Sequence, residues 1–247
     1  MAEFAHDKVV PYGQSAKGKK EQVAEMFDDI APQYDFLNRF LSAGIDVSWR
    51  KKALRQLLPL KPKVMLDVAT GTADVAIMAA RILQPDKIVG IDISEGMLEL
   101  GRKKLLKEGL DRRIELQTGD SEAIKFPDAS FDAVTVAFGV RNFEHLEKGL
   151  REIRRVLKPG GRLIVLEFSK PSLPGIQQLY NLYMRLVAPG MGQLFSKNRD
   201  AYAYLSNSVA KFPEGKAFVE VLNNTGFKDT TCNRLSFGIC SVYGGTA

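Results

Sequence analysis

From residue 63 onward the chain alternates five short apolar runs with segments of helical period. The runs are VMLDVA (64–69), KIVGIDI (87–93), RIELQTG (113–119), FDAVTVAFG (131–139) and GRLIVLEFS (161–169). Between them lie IMAARIL (77–83), GMLELGRKKLLKEG (96–109) and residues 144–157. Runs this rich in Val, Ile and Leu need cover on both faces of a sheet, and the intervening helices supply it. The pattern predicts an α/β fold: a doubly wound, mostly parallel, Rossmann-like sheet. Two β-rich runs, FKDTTCNRL (227–235) and SFGICSVYG (236–244), bring the expected strand count to seven.

The remaining segments organise around that core. Residues 1–19 are polar and without period, and read as a flexible arm. Residues 20–62 read as a helical lid in two or three pieces, punctuated by Pro32 and Gly44 and closed by Pro59 and Pro62. The core spans 63–171. Lys158-Pro159-Gly160-Gly161 reads as a turn into the fifth strand. Residues 172–212 form a helical insertion before the last strands, with Ile176, Leu179, Tyr180, Tyr183 and Val187 at helical spacing. Residues 213–247 hold the final helix and strands. The 247 residues thus make an arm (1–19) and one domain (20–247).

Composition removes several classes. No apolar run approaches the ~18 residues of a membrane span. The N-terminal stretch has no apolar segment of a secretory signal. Cys232 and Cys240 form no CxxC pair, and His6 and His145 are the only histidines, so no metal site is expected. Two reduced thiols fit the cytoplasm. The net charge of +6 permits an anionic partner without requiring one. Its only basic cluster, Lys17, Lys19 and Lys20, falls in or beside the arm.

The chemistry concentrates at strand ends. Asp67 stands near the end of the first strand, before the small-residue loop VATGTAD (68–74), which lets a ligand approach the backbone. The GxGxxG fingerprint is absent, since Gly71 is the loop's only glycine. A carboxylate at that point repels a pyrophosphate and suits a ligand bearing positive charge, such as S-adenosylmethionine. Asp92 ends the second strand, 21 positions after Gly71, where an acid accepts from ribose hydroxyls. Asp120 follows the third strand, placed to accept from an adenine amine. Three successive acids at the carboxyl edge of the sheet mark a nucleoside site. Each alone would read as a turn or cap residue.

Longer strings narrow this further. YDFLNRFLSAGIDVSWR (34–50) and RVLKPGGRLIVLEFSKP (155–171) resemble the two motifs of the quinone-ring C-methyltransferase family, among the class I S-adenosylmethionine-dependent methyltransferases. AFGVRNF (137–143) and AYAYLSNSVAKFP (201–213) are similar to two further segments of that family. The resemblance covers roughly residues 22–243. It departs where the family often has Gly (here Ala73) and often His (here Asp46). Ala73 is expected to turn with ordinary dihedrals, and Asp46 is given no acid–base duty.

The resemblance implies methylation of a ring carbon in a lipid-soluble, prenylated quinol, with demethylmenaquinol foremost and a ubiquinone precursor as an option. It implies cofactor contacts at Asp67, Gly71, Thr72, Asp92, Ile93, Met97, Asp120, Ser121, Ala137 and Phe138. The catalytic set it implies is Arg141, Asn142 and Tyr34, with Arg141 stabilising a phenolate-like oxygen. For Arg141 the competing reading is a surface ion pair with Glu144 or Glu147. Tyr202, Tyr204 and Ser208 are expected to wall the quinone side or simply to pack. Glu167, inside an apolar run, needs a partner such as Arg162 or a backbone donor. Another methyltransferase of this fold, acting on a different small molecule or on RNA, is the alternative. No nucleic-acid partner is expected, because interleaved basic and aromatic residues are missing. The substrate implies peripheral membrane contact at the inner face, with the basic arm drawn to anionic lipid. A homodimer is left open.

Overall fold

The computed structural model describes residues 4–42, 44–171 and 199–247, together with Gly175, Gln177 and Gln178. The sheet comprises β1 (Val64–Val68), β2 (Lys87–Asp92), β3 (Ile114–Thr118), β4 (Phe131–Ala137), β5 (Leu157–Phe168), β6 (Lys228–Leu235) and β7 (Cys240–Thr246). Their order is β3-β2-β1-β4-β5-β7-β6. All pairs are parallel except those of β7, which is antiparallel to β5 and β6. Lys158–Gly161 belong to β5, where the register against β4 shifts between Phe131 and Ala133, and Gly160 takes φ +77°. The expected turn is therefore an irregular entry to the strand.

The continuous apolar runs have the predicted cause. Leu66, Val68, Val134 and Val136 point to one face, against α5 (Leu146–Val156) and α7 (Lys216–Asn224). Met65, Ile88, Ala133 and Ile164 point to the other, against α2 (Ile45–Arg55), α3 (Asp74–Ile82) and α4 (Glu95–Glu108). Each such buried Val, Leu, Ile or Met contributes roughly 1.5–3 kcal/mol. β6, at the sheet edge, alternates and is largely exposed.

Two expectations about the N-terminus are corrected. Residues 4–18 are folded onto the domain. His6 is fully buried with its ring 5.4 Å from that of Phe212. The Lys19 ammonium, also buried, donates to the carbonyls of His6 (2.8 Å) and Phe143 (3.0 Å). Pro32 does not divide the lid either: α1 (Lys19–Leu41) runs through it as one helix. The lost backbone hydrogen bond there is offset by packing of the face that carries Val23 and Met26 against Ala201 and Tyr204. These last two residues lie on α6 (Arg199–Lys211). Of the helix expected at 174–188, Gly175, Gln177 and Gln178 are helical, and Ile176, Leu179, Tyr180, Tyr183 and Val187 lie outside the described residues.

Candidate active site

The chain leaves β1 toward β2 and β3, then crosses back to place β4 on the other side of β1. A cavity opens at the carboxyl edge of the sheet around this switch point, as open α/β sheets dictate. It encloses about 650 Å³, its open mouth included. Ala69, Asp92, Ile93, Asp120, Ala137 and Phe138 form the floor, one or two residues from each strand end. Lys20, Val23, Phe27 and Tyr34 of α1 form the roof, and Asn142 and Phe143 the far wall.

Asp92 is the buried acid of the floor. Its Oδ2 accepts from the Gly71 N–H at 2.8 Å and its Oδ1 from the Ser94 N–H at 2.9 Å. Burial pushes its carboxyl above the usual range, against the pull of those backbone donors. Gly71 takes φ +56° with open space where a side chain would stand. Gly139 serves a different need. A Cβ there would sit 2.5 Å from the Ala69 Cβ, so only glycine lets the loops after β1 and β4 touch. Ser94 caps α4 by accepting from Met97 N–H, and its hydroxyl donates to Asp28 of α1 at 2.6 Å. Roof and floor are thus joined beside Asp92.

Of the ten expected cofactor contacts, eight face the cavity: Gly71, Asp92, Ile93, Met97, Asp120, Ser121, Ala137 and Phe138. Asp67 and Thr72 do not. Asp67 accepts from the hydroxyls of Thr135 (2.6 Å) and Thr70 (2.7 Å), and burial raises its pKa to about 6. It braces the loop from beneath. The Thr72 hydroxyl donates to Asp35 of the lid at 2.6 Å and accepts from Lys104 at 2.8 Å. Asp120 faces the cavity with both oxygens engaged, by Glu122 N–H (2.8 Å) and Lys20 (2.6 Å).

Of the expected catalytic set, Asn142 and the half-buried Tyr34 face the cavity, and burial holds the Tyr34 phenol above its usual pKa. Arg141 turns away from it. Its guanidinium donates to Glu167 Oε1 at 2.8 Å and to the Phe138 carbonyl, and stacks 5.6 Å over the Phe168 ring. The pair is buried, so the competing reading of a surface ion pair with Glu144 or Glu147 does not hold, and the guanidinium expected at a quinol oxygen is engaged by Glu167 instead. Glu167 finds its partners in Arg141 rather than Arg162 and in the expected backbone donor, Phe168 N–H at 2.9 Å. A buried carboxylate and guanidinium satisfy each other at close range, which a solvated glutamate does not need to do. Tyr204 donates to Asn142 Oδ1 at 3.1 Å; Ser208 is buried and hydrogen-bonds within its own helix; the side chain of Tyr202 lies outside the described residues.

The lid was read in the sequence, but of its cavity-facing residues only Tyr34 was named for the site; Val23 and Phe27 were not, although their signal is the apolar spacing Val23, Met26, Phe27 and Ile30. Lys20, read there as part of a solvated cluster, closes on Asp120. Beside it Glu122, Glu144 and His145 bring ligand-type atoms within 4.8 Å of one another. Ammonium groups occupy this cluster: Lys20 lies 3.5 Å and Lys148 3.8 Å from Glu122 Oε2.

A model of the ubiE/COQ5 methyltransferase family matches residues 15–247. The chain belongs to that family. The family resemblance read in the sequence is thereby borne out. A demethylmenaquinone methyltransferase from Bacteroides fragilis is 47% identical over 98% of this chain and 99% of its own length. A ubiquinone/menaquinone biosynthesis C-methyltransferase from Geobacter sulfurreducens is 45% identical over 96% of this chain and 92% of its own. Among solved structures, a SAM-dependent methyltransferase from Thermotoga maritima superimposes with a TM-score of 0.62 over 90% of this chain and 98% of its own, at 20% identity. That likeness establishes the fold, as expected.

In this ubiE/COQ5 chain the two departures noted in the sequence have structural answers. Ala73 does not keep ordinary dihedrals: it takes φ +66°, as Ala69 takes +53°. Left-handed backbone costs an L-residue roughly 1–2 kcal/mol. The fully buried methyl tolerates it because Ala73 begins α3, with its N–H on the Thr70 carbonyl at 3.0 Å. Asp46 is buried, accepting from Arg50 at 2.6 Å and Ser42 at 2.9 Å. Arg50 lies 3.4 Å from Asp74, so Asp46 fastens the lid to α3.

Proposed function

We propose that this chain transfers a methyl group from S-adenosylmethionine to a ring carbon of a prenylated quinol, demethylmenaquinol foremost, as the names of its relatives suggest. The observation that carries the reading is a single cavity with Asp92 in its floor and Asn142 in its far wall. The residues present fit the cofactor. A carboxylate offers about four acceptor positions. The backbone N–H groups of Gly71, Ile93 and Ser94 take up part of those on Asp92, leaving acceptor capacity for ribose hydroxyls. Ile93, Met97 and Phe138 offer apolar surface to a purine, and the carboxylates of the rim disfavour a diphosphate.

When bound, S-adenosylmethionine supplies an electrophilic methyl group on a sulfonium. The chain's own residues prepare the other reactant. A quinol ring becomes a competent carbon nucleophile as its hydroxyl proton passes to water and charge spreads into the ring, and the methylated carbon then releases its own hydrogen to water as a proton. Asn142 stabilises the oxygen that acquires charge, and Tyr34 meets the ring from the roof. α1 excludes water from the pair. Arg141 acts indirectly, holding the turn that carries Asn142.

Among the described residues no helix is long and apolar enough to cross a membrane. A prenylated substrate resides in lipid, so this reading has the enzyme working at the inner membrane surface. The basic cluster is a poor anchor for it, since Lys17 pairs with Glu25, Lys20 with Asp120, and Lys19 is buried. The test of function is incubation with labelled S-adenosylmethionine and each short-chain reduced quinone, followed by identification of the product. A ring-carbon methyl on the naphthoquinol is the expected result. Label on oxygen, or none in any quinol, overturns the reading.

A further inference from the structure

Asn142 stands in the cavity wall, and its side-chain oxygen is already engaged by the Tyr204 hydroxyl, which donates to Oδ1 at 3.1 Å. A carboxamide carries an acceptor oxygen at one end and two donor hydrogens at the other. With the oxygen turned to Tyr204, the nitrogen is the end left for a ligand. We propose that Tyr204 is a positioning residue for methyl transfer, locking the Asn142 carboxamide so that its N–H, and not its carbonyl, meets the quinol oxygen. The inference rests on the quinol-methylation reading and adds to it a residue from outside the strand-end motifs.

Three observations support the assignment. Tyr204 is 3% exposed on α6, and its hydroxyl reaches 62 positions back along the chain to Asn142. The backbone beneath Asn142 is fixed independently. Glu167 binds the Arg141 guanidinium at 2.8 Å and lies 3.4 Å from its backbone N–H, while Asn142 N–H donates to the Gly139 carbonyl at 2.9 Å. The freedom that remains is rotation of the carboxamide, which is what Tyr204 restrains. Burial also holds the Tyr204 phenol far above its usual pKa, so it stays a donor throughout the working range.

The chemistry requires that polarity. A carbonyl oxygen facing a developing phenolate repels it, whereas an amide N–H stabilises it as charge arrives. Left unlocked, the carboxamide spends part of its time reversed.

Tyr204→Phe removes one oxygen and keeps the ring. It should lower kcat about tenfold through lost orientation, while KM for S-adenosylmethionine stays within about twofold. The rising limb of the kcat–pH profile should move up by about one unit, because the quinol oxygen loses its donor. In an Asn142→Ala background the same substitution should change kcat by less than about twofold, since the two side chains act as one. A wild-type kcat and profile, or additive losses accompanied by weaker cofactor binding, would overturn the proposal. A readout free of turnover is a coloured hydroxynaphthoquinone whose ionisation is followed by absorbance. Its pKa in the complex should be lower with the wild type than with Tyr204→Phe, and equal values contradict the inference. If Tyr204→Phe fails to fold, 3-fluorotyrosine at 204 preserves the shape and donates more strongly, so the limb should move down; no movement counts against the lock. A wild type that neither methylates a quinol nor binds the naphthoquinone overturns the substrate reading and takes this inference with it. A wild type that does both, with an indifferent Tyr204→Phe, overturns the inference alone.

Discussion

The nucleoside half of the cavity and its ring half are built by opposite means. Around Asp92 the contacts are local: Ser94 two positions on, Gly71 in the preceding loop, and a capped helix that begins at once. Around Asn142 nearly everything arrives from afar. Glu167 holds Arg141, Tyr204 holds Asn142, Lys19 holds the Phe143 carbonyl and Glu144, and Glu122 holds the backbone and ring of His145. The first half is built mainly by strand–turn–helix units, with α1 added at Asp28 and Lys20. The second exists only once the N-terminal segment, β5 and α6 have closed on one loop. A site of this kind can keep its cofactor end while losing its reactive end.

The largest expected effect breaks that second half. Arg141→Ala leaves Glu167 buried and uncompensated, a loss of about 3–5 kcal/mol. Chemical denaturation measures it, and calorimetry on the folded fraction should still find cofactor affinity within about threefold, since the Asp92 side makes no contact with the pair. A variant as stable as the wild type would mean that the pair adds nothing to the ring half.

A smaller effect sharpens the role of residues 4–18. His6 is fully buried, and its ring nitrogens have no hydrogen-bond partner among the described residues; Asp7 Oδ1 lies 3.3 Å from Nε2 outside bonding geometry. Burial first, and the Lys19 charge second, lower its pKa from 6.5 to about 3. The unfolded chain therefore takes up a proton below pH 6.5 that the folded chain refuses. The stability tied to neutral His6 is present above that pH and is lost as pH falls. At pH 5 the loss is about 2 kcal/mol. His6→Phe, packed against Phe4 and Phe212, should abolish this part of the acid lability. Urea titrations at pH 5 and 7.5 provide the check, and an unchanged pH dependence counts against His6 as its source.

Which parts of this were legible in the sequence follows the same division. The five parallel strands were, because buried parallel strands cannot be written without near-continuous apolar runs, and β6 and β7 were read from their β-rich composition. Asp92, Gly71 and Asp120 were legible because the end of a strand is itself a position in the site. Arg141 was placed correctly on the loop after β4 but expected at the quinol oxygen, because Glu167 reads as one acid inside an apolar run and nothing in its spacing points to Arg141. Ala73 and Ala69 were unreadable for another reason: alanine rarely adopts positive φ, and only the surrounding packing makes it do so. Lys20 looked like one of a group of solvated lysines until α1 placed it over Asp120.

The smallest effect lies where roof and floor meet. Ser94→Ala removes the α4 cap and the hydrogen bond to Asp28, and should cost about 1 kcal/mol. Thermal melts should show it with turnover nearly unchanged at saturating cofactor, whereas a loss of several kcal/mol would mean that the lid's attachment at Asp28 governs global stability.

The most direct test of the central claim is calorimetric titration of S-adenosylmethionine onto the wild type and Asp92→Asn. The account predicts clear binding to the wild type and affinity roughly ten- to a hundredfold weaker in the variant, the worth of hydrogen bonds to a charged acceptor. Equal affinity in the two folded proteins would contradict it.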